Sequence, residues 1–392
     1  MSVTMKTENG RPVLDLTGRV TSANAASVEQ EINDALGDYA GKELTLDLGE
    51  LEYISSAGLR VLLRLRKRFS GMEMVNVSSD VYEIFEMTGF TEMMPISKAY
   101  RKVSVEGCEV IGQGANGKVY RIDPDTIVKV YYNPDALPDI KRERELARTA
   151  FVLGIPTAIP YDVVRVGDGY GSVFELLNAK SFAKLIAADP EGLDGYVAQF
   201  VDLMKLIHST TVKPGIMPEM KTVALDWADF LKDYLPGEAW EKLHALIAGV
   251  PEQLTMLHGD YHTKNVVLQN GEVILIDMDT LCTGHPVFEL ASVFNAFVGF
   301  SELDPSVAMA FQGFSRETCN AIWDKTLRLY FGTEDEAILR ARAEQAMLIG
   351  YTRLMRRTIR RRGLETEEGR EAITHYRSRI LELLERVDSL TW

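Results

Sequence analysis

The stretch LHGDYHTKNVVLQNGEVILIDMDT, residues 257–280, constrains this chain more than any other. It sets His258, Asp260, Asn265 and Asp277 between apolar runs, and a core strand has little use for such groups because burying an unpaired charge is costly. NVVL and VILIDM read instead as two short strands joined by a QNGE turn, so the segment is a polar loop mounted on a hairpin. Such a loop can do chemistry. Asp260 can accept the proton of an attacking hydroxyl and orient it. Asn265 and Asp277, held a fixed distance apart by the strands, offer hard oxygen ligands for Mg²⁺ between phosphates. His258 is assigned a supporting role, bracing the loop by hydrogen bonding.

Away from that loop the chain has two textures. VLDLTG and ELTLDLG carry the period-two pattern of half-buried strands, and MEMVNV adds another strand. Between and after them, TSANAASVEQEINDALGDY, SAGLRVLLRLRKRF and DVYEIFEMTGF read as helices. Strands interleaved with helices predict a layered α/β domain over residues 1–101. Beyond KAYRKVS the pattern changes to closely spaced strands and tight turns, then to helical segments from about residue 181 onward. This predicts a second, α+β domain over 102–392, with a β-rich lobe at about 102–177 and a helical lobe at about 178–392.

With 46% hydrophobic residues in 392, the chain can bury a core in each domain. Its net charge of -14 argues against general nucleic-acid binding, which needs a basic face. No apolar run approaches the roughly 18 residues that span a bilayer, and MSVTMKTENGRPVLDL lacks the apolar core of a signal peptide. Cys108, Cys282 and Cys319 form no metal or disulfide pattern and suit a reducing compartment. The expectation is a cytoplasmic protein with no membrane and no nucleic-acid partner.

The first domain resembles the STAS domain of anti-sigma-factor antagonists, on LDLGELEYISSAGLRVLL and VYEIFEMTGF. That resemblance implies docking of a protein partner. It also implies a serine at the start of the second helix as a phosphorylation site, and alignment on Gly58 and Leu59 puts Ser56 there. Ser55 stands where the family often has an acidic residue, and Ala57 where it often has serine. The alternative is that Ser55 or Ser56 caps the helix.

In the second domain GQGANGKV matches G-x-G-x-x-G-x-V at Gly112, Gly114, Gly117 and Val119. Glycine lets backbone approach phosphates closely, although Gly-rich hairpins are common. Lys129, within TIVKVYY, shares a strand face with Ile127 and Tyr131 and needs an anionic partner if buried. Nucleotide phosphates and a helix carboxylate would serve. DIKRERELARTAFVLG supplies Glu143 and Glu145, which cannot share a helix face; matching back from Gly154 and GIPTAIP favours Glu145.

Asn265 follows Asp260 at the D-x-x-x-x-N spacing of kinase catalytic loops. HGDYHTKN also resembles the H-G-D-x-H-x-x-N of the aminoglycoside phosphotransferase and choline-kinase-like superfamily, through His258, Gly259, Asp260, His262 and Asn265. Ile276, Asp277, Pro286 and Glu289 follow its downstream pattern, with Glu289 in place of the more usual Asp. The resemblance implies a protein-kinase-like fold, ATP and Mg²⁺ as cofactors, a loop-supporting His262 and an adenine contact near Glu175 to Leu177. The phosphorylated-loop features of protein kinases are missing: Gly259 stands for Arg in H-R-D, and DMD replaces D-F-G. A small hydroxylated or aminated acceptor is therefore expected. Two alternatives stay open: a protein kinase acting on Ser56 of its own or another STAS domain, and a nucleotide-binding regulatory module without catalysis. The arginine stripe Arg353, Arg356, Arg357 and Arg360 reads as a solvated helix face, or else as a site for an anionic acceptor or acidic partner.

Overall fold

A computed structural model describes residues 1–8, 11–114 and 116–392. It divides into two compact units, Met1–Ser104 with Val163–Gly167, and Val105–Asp162 with Asp168–Trp392. The first unit runs β1 (Ser2–Glu8), β2 (Arg11–Val20), α1 (Ala25–Leu36), β3 (Glu43–Asp47), β4 (Leu51–Ile54), α2 (Ser56–Arg68), β5 (Gly71–Val77), α3 (Ser79–Met87), α4 (Phe90–Met93) and β6 (Ile96–Lys98). Its sheet has the order β1-β2-β3-β5-β6, with β4 beside β2. β1 is antiparallel to β2, and the other pairings are parallel.

The alternation read from the sequence has a direct physical outcome here. Leu14 and Leu16 of β2, and Leu44 and Leu46 of β3, point into the core on every second position. They meet Val28 and Ile32 of α1 and Leu62 and Leu65 of α2. Ser55 is the cap of α2: its Oγ accepts the Gly58 N–H at 3.3 Å, and Arg66, Lys67 and Arg68 occupy the last turn, where cations are favoured. β1, β4 and β6 were not expected. SVTMKTE of β1 is mostly exposed and has little apolar signal, and β4 and β6 are four and three residues long.

The second unit opens with β7 (Glu109–Gln113), β8 (Gly117–Asp123), β9 (Thr126–Tyr131), α5 (Leu137–Val152), β10 (Asp162–Val166, most of which groups with the first unit) and β11 (Gly169–Glu175). Within it the strands lie in the order β11-β9-β8-β7, all antiparallel. The helical part follows: β12 (Lys180–Ser181), α6 (Phe182–Ala188), α7 (Leu193–Ser209), α8 (Met220–Phe230), α9 (Gly237–Ala248), β13 (Met256–Leu257), β14 (Val266–Gln269), β15 (Glu272–Leu275), β16 (Cys282–Thr283), α10 (Val287–Phe297), α11 (Ser306–Gln312), α12 (Arg316–Phe331), α13 (Glu336–Arg360) and α14 (Glu367–Leu384).

The expected hairpin is β14–β15, in register from Val266↔Leu275 to Gln269↔Glu272. Asn270 and Gly271 turn it with φ of 52° and 86°, the positive pair that a two-residue turn of this hand requires. α10 is apolar all round and buried along its whole length, as a helix of that composition must be. Of its three polar members, Glu289 and Ser292 face the loop described next, and Asn295 donates to the Gly350 carbonyl. Among the described residues no helix is long and apolar enough to cross a membrane.

Candidate active site

Lys129 occupies the middle of β9, paired with Val119 of β8 on one side and Ser172 of β11 on the other. It is therefore not an edge-strand lysine. Its ammonium donates to Glu143 Oε1 at 3.0 Å and to Asp277 Oδ1 at 2.9 Å. Burial alone would lower the Lys129 pKa; Asp277 and Glu143 outweigh it and hold the group well above its ordinary value. Tyr131 donates to Glu143 Oε2 at 2.6 Å, so the Glu143 carboxylate is held from both oxygens.

The partner of Lys129 is thus Glu143 and not Glu145, the residue favoured from sequence. The reason is helix periodicity. Ile140, Glu143, Ala147 and Ala150 recur at three- and four-residue steps along the buried face of α5, whereas Glu145 points outward and is exposed. A carboxylate within an apolar stripe is the signal that would have selected Glu143.

The glycine loop is the β7–β8 hairpin. Gly112 pairs with Val119, and the Gly114 N–H donates to the Gly117 carbonyl at 3.0 Å. Gly117 is buried, and a Cβ there would lie 2.2 Å from the Val130 carbonyl oxygen, so no other residue fits. Ala115, at the centre of the motif, lies outside the described residues. Asn116 donates to Asp279 Oδ2 at 3.0 Å, tying the loop to the segment after Asp277.

Asp260 is half-buried beside two cationic or proton-bearing partners. His262 Nε2 stands 3.5 Å from Oδ2, and Arg353 Nη2 stands 3.9 Å from Oδ1. The Lys264 N–H donates to His262 Nδ1 at 3.3 Å, so a neutral ring carries its proton on Nε2, facing Asp260. Burial pushes the Asp260 carboxyl up; His262, then Arg353 and His258, outweigh that and hold it at about 2. Asp260 is a committed carboxylate.

Asn265 Nδ2 donates to the Asp260 carbonyl at 3.0 Å, which leaves the amide oxygen as the atom of that side chain able to meet a cation. Asp277 sits at φ 65°, ψ 71°, a left-handed conformation uncommon outside glycine, asparagine and aspartate. Burial and the neighbouring Asp277 push the Asp279 carboxyl up to about 6. Asp277, Asp279 and the Asn265 amide oxygen are hard oxygen donors of the kind Mg²⁺ takes, an ion that needs few protein ligands and relies on phosphate and water.

The loop itself is clamped from below. Glu289 of α10 accepts the backbone N–H of His258 through Oε2 and that of Gly259 through Oε1, the latter at 3.0 Å. His258 is fully buried, with Nε2 3.2 Å from the Ile276 carbonyl, and Thr280 Oγ1 donates to the His258 carbonyl at 2.7 Å. Gly259 has φ +81°, and a Cβ there would meet the Thr280 carbonyl oxygen at 2.5 Å. Arg353 Nη1 donates to the Gly259 carbonyl at 3.1 Å. The clamp through Glu289 and the reach of Arg353 from α13 were not read from the sequence; they join residues 30 or more positions apart.

The remaining expected positions lie apart from these contacts. Glu175 ends β11 opposite Thr126 and is exposed, and Leu177 follows it half-buried, on the segment joining the two lobes of this unit. In the first unit Ser56 opens α2 with its side chain exposed, while the cap is Ser55.

A profile of the phosphotransferase enzyme family matches residues 107–325, and one of the STAS domain matches residues 2–103. The "Putative anti-sigma factor antagonist BtrV" of Bordetella bronchiseptica is 37% identical over 103 residues, covering 25% of this chain and 88% of that protein. Among solved structures, the ADP-bound aminoglycoside phosphotransferase APH(2″)-Ib is 14% identical with a TM-score of 0.50, over 78% of this chain and 99% of its own. At that identity the likeness establishes the fold alone. A choline/ethanolamine kinase family protein from Mesorhizobium loti is 16% identical with a TM-score of 0.45, over 71% and 88%.

Proposed function

The chain belongs to the phosphotransferase enzyme family and carries a STAS domain ahead of its kinase-like domain, and from that premise we propose that it transfers the γ-phosphoryl group of ATP to a hydroxyl or amine of a small molecule. The bond from the γ-phosphorus to the bridging oxygen breaks, a bond to the acceptor oxygen or nitrogen forms, ADP leaves, and the acceptor proton passes to Asp260. The observation that carries this is the Asp260 carboxylate, held ionised near the Asn265 amide, within a unit where Lys129 is fixed by Glu143 and Asp277. A carboxylate that stays ionised orients the acceptor by accepting its hydrogen bond and receives the proton only late in transfer, in keeping with a reaction driven by positioning and charge neutralisation.

Lys129 would hold the nucleotide phosphates, with the hairpin of Gly112, Gly114, Gly117 and Val119 above them and Glu175 to Leu177 beside the adenine. Asn265 and Asp277 would hold Mg²⁺, which when bound neutralises charge on the transferred phosphoryl group. His258 and His262 support the loop. The STAS domain docks a protein partner, in line with the anti-sigma factor antagonist it resembles.

The test follows ADP release by the full chain against a panel of alcohols, amines and sugars, with and without Mg²⁺. Acceptor-dependent release that vanishes without the metal is expected. Tight ATP binding with no acceptor-dependent release across the panel would favour the regulatory module instead. One observation keeps a protein acceptor in view, the exposure of Ser56 at the start of α2. Intact-mass measurement after incubation with Mg-ATP decides it: an added phosphate that Ser56→Ala abolishes would make the STAS serine the acceptor.

A further inference from the structure

Beside Asp260, the side chains around Arg353 and the catalytic loop include several cations resting on aromatic rings. Arg353, Arg356 and Arg357 share one face of α13 by their three- and four-residue spacing. Arg353 lies 5.5 Å from the ring centre of Trp227, Arg356 5.7 Å from that of Phe230, and Arg357 4.8 Å from that of Phe300. Lys264, on the catalytic loop itself, stands 4.8 Å from the centre of Phe311. Phe311 packs edge-to-face against both Phe300 and His262, at 5.6 and 5.2 Å. The rings thus link Arg357, Lys264 and His262 into one wall, and His262 and Arg353 both reach Asp260.

Few carboxylates balance this wall: Asp260 is reached by Arg353 and also acts on Arg357. Among the described residues Lys264, Arg356 and Arg357 have none within ion-pair distance, and Arg356 Nε is buried without a hydrogen-bond partner. Asp226 acts on Arg356 from an exposed position on α8, and Glu302 is engaged by Tyr351 Oη at 2.8 Å and His375 at 3.1 Å. Burial, then Arg360, holds the Arg356 guanidinium below its ordinary value, with Arg353 adding to the effect. Like charges crowded beside a reacting centre are unfavourable unless an anion fills the space between them. Stacked guanidiniums keep their N–H edges free, the geometry that binds phosphate and carboxylate in two-pronged fashion.

Resting on the phosphotransfer proposed above, we infer that the acceptor is itself an anion, a small hydroxylated molecule already bearing a phosphate or carboxylate that Arg356 and Arg357 bind while its hydroxyl faces Asp260. A cationic aminated acceptor would meet repulsion on this wall.

Matched pairs test the inference on the full chain: glycerol against glycerol 3-phosphate, glucose against glucose 6-phosphate, and glycerol against glycerate. ADP release is measured with Mg-ATP, and acceptor binding by calorimetry with Mg²⁺ and a non-hydrolysable ATP analogue. The anionic members should bind or react about tenfold or more better than their neutral partners, the scale of a hydrogen bond to a charged group. Arg356→Gln and Arg357→Gln should each erase about that much, with the KM for ATP and the melting temperature unchanged. Anionic members that bind no better than neutral ones while the nucleotide analogue still binds would overturn the anionic acceptor and leave phosphotransfer standing. So would a preference for the cationic sugar kanamycin. Failure of the analogue to bind at all would overturn both.

Discussion

Replacing Glu143 by glutamine keeps its shape and removes its charge, and the structure allows the consequence to be sized. Lys129 is 15% exposed and Glu143 6%, so the pair is largely shielded from water, while the second partner of Lys129, Asp277, is 44% exposed. Truncating one member of a buried ion pair costs about 3–5 kcal/mol when the other is left alone. Lys129 keeps Asp277, so the loss falls nearer the value of one hydrogen bond to a charged group, about 2–3 kcal/mol. In a unit of this size that lowers the melting temperature by roughly 4–10 °C. Lys129 should also lean toward Asp277, drawing it off the phosphates and raising the KM for ATP about tenfold. Glu145→Gln, on the exposed face of the same helix, should stay within about 0.5 kcal/mol of wild type with an unchanged KM. Thermal melts and ATP kinetics on the two variants decide the matter. Equal effects, or a larger effect at Glu145, would refute the assignment of Glu143 and the periodicity argument behind it.

Gly259→Ala places a methyl group 2.5 Å from the Thr280 carbonyl at φ +81°, so it should cost about 2–4 kcal/mol in a melt and lower kcat steeply; wild-type behaviour would contradict the tight approach. Ser55→Ala should cost about 1 kcal/mol by loss of the α2 cap, and Ser56→Ala close to nothing; chemical denaturation of the two variants distinguishes capping from surface exposure. Asp260 has its pKa depressed from 3.8 to about 2, because His262, Arg353 and His258 outweigh its burial. Its stabilising contribution is therefore complete above the unfolded value and is lost as pH falls through about 2; a carboxyl NMR titration with a midpoint above 4 would contradict the arrangement.

Much of this molecule is legible in its sequence because its signals are local. Alternation in ELTLDLG gave β3, QNGE gave the β14–β15 turn, and the five-residue spacing of Asp260 and Asn265 matched a hydrogen bond in the structure. Two kinds of feature escaped. β1, β4 and β6 are exposed or only a few residues long, so neither propensity nor period rises above background. Contacts that cross the chain leave no local trace: the Glu289 clamp, the Asn116–Asp279 bond and the placement of Arg353 against Asp260 all depend on packing between distant elements. Glu143 lies between these cases. Its place within the Ile140–Ala147–Ala150 face was readable, but pattern matching from Gly154 pointed two residues further on.

Asp260→Asn tests the central claim most directly, since it exchanges one carboxylate oxygen for an amide and leaves the fold around it intact. The variant should bind Mg-ATP about as tightly as wild type while acceptor-dependent ADP release falls by about two orders of magnitude or more. Undiminished turnover would mean that the chemistry happens somewhere else.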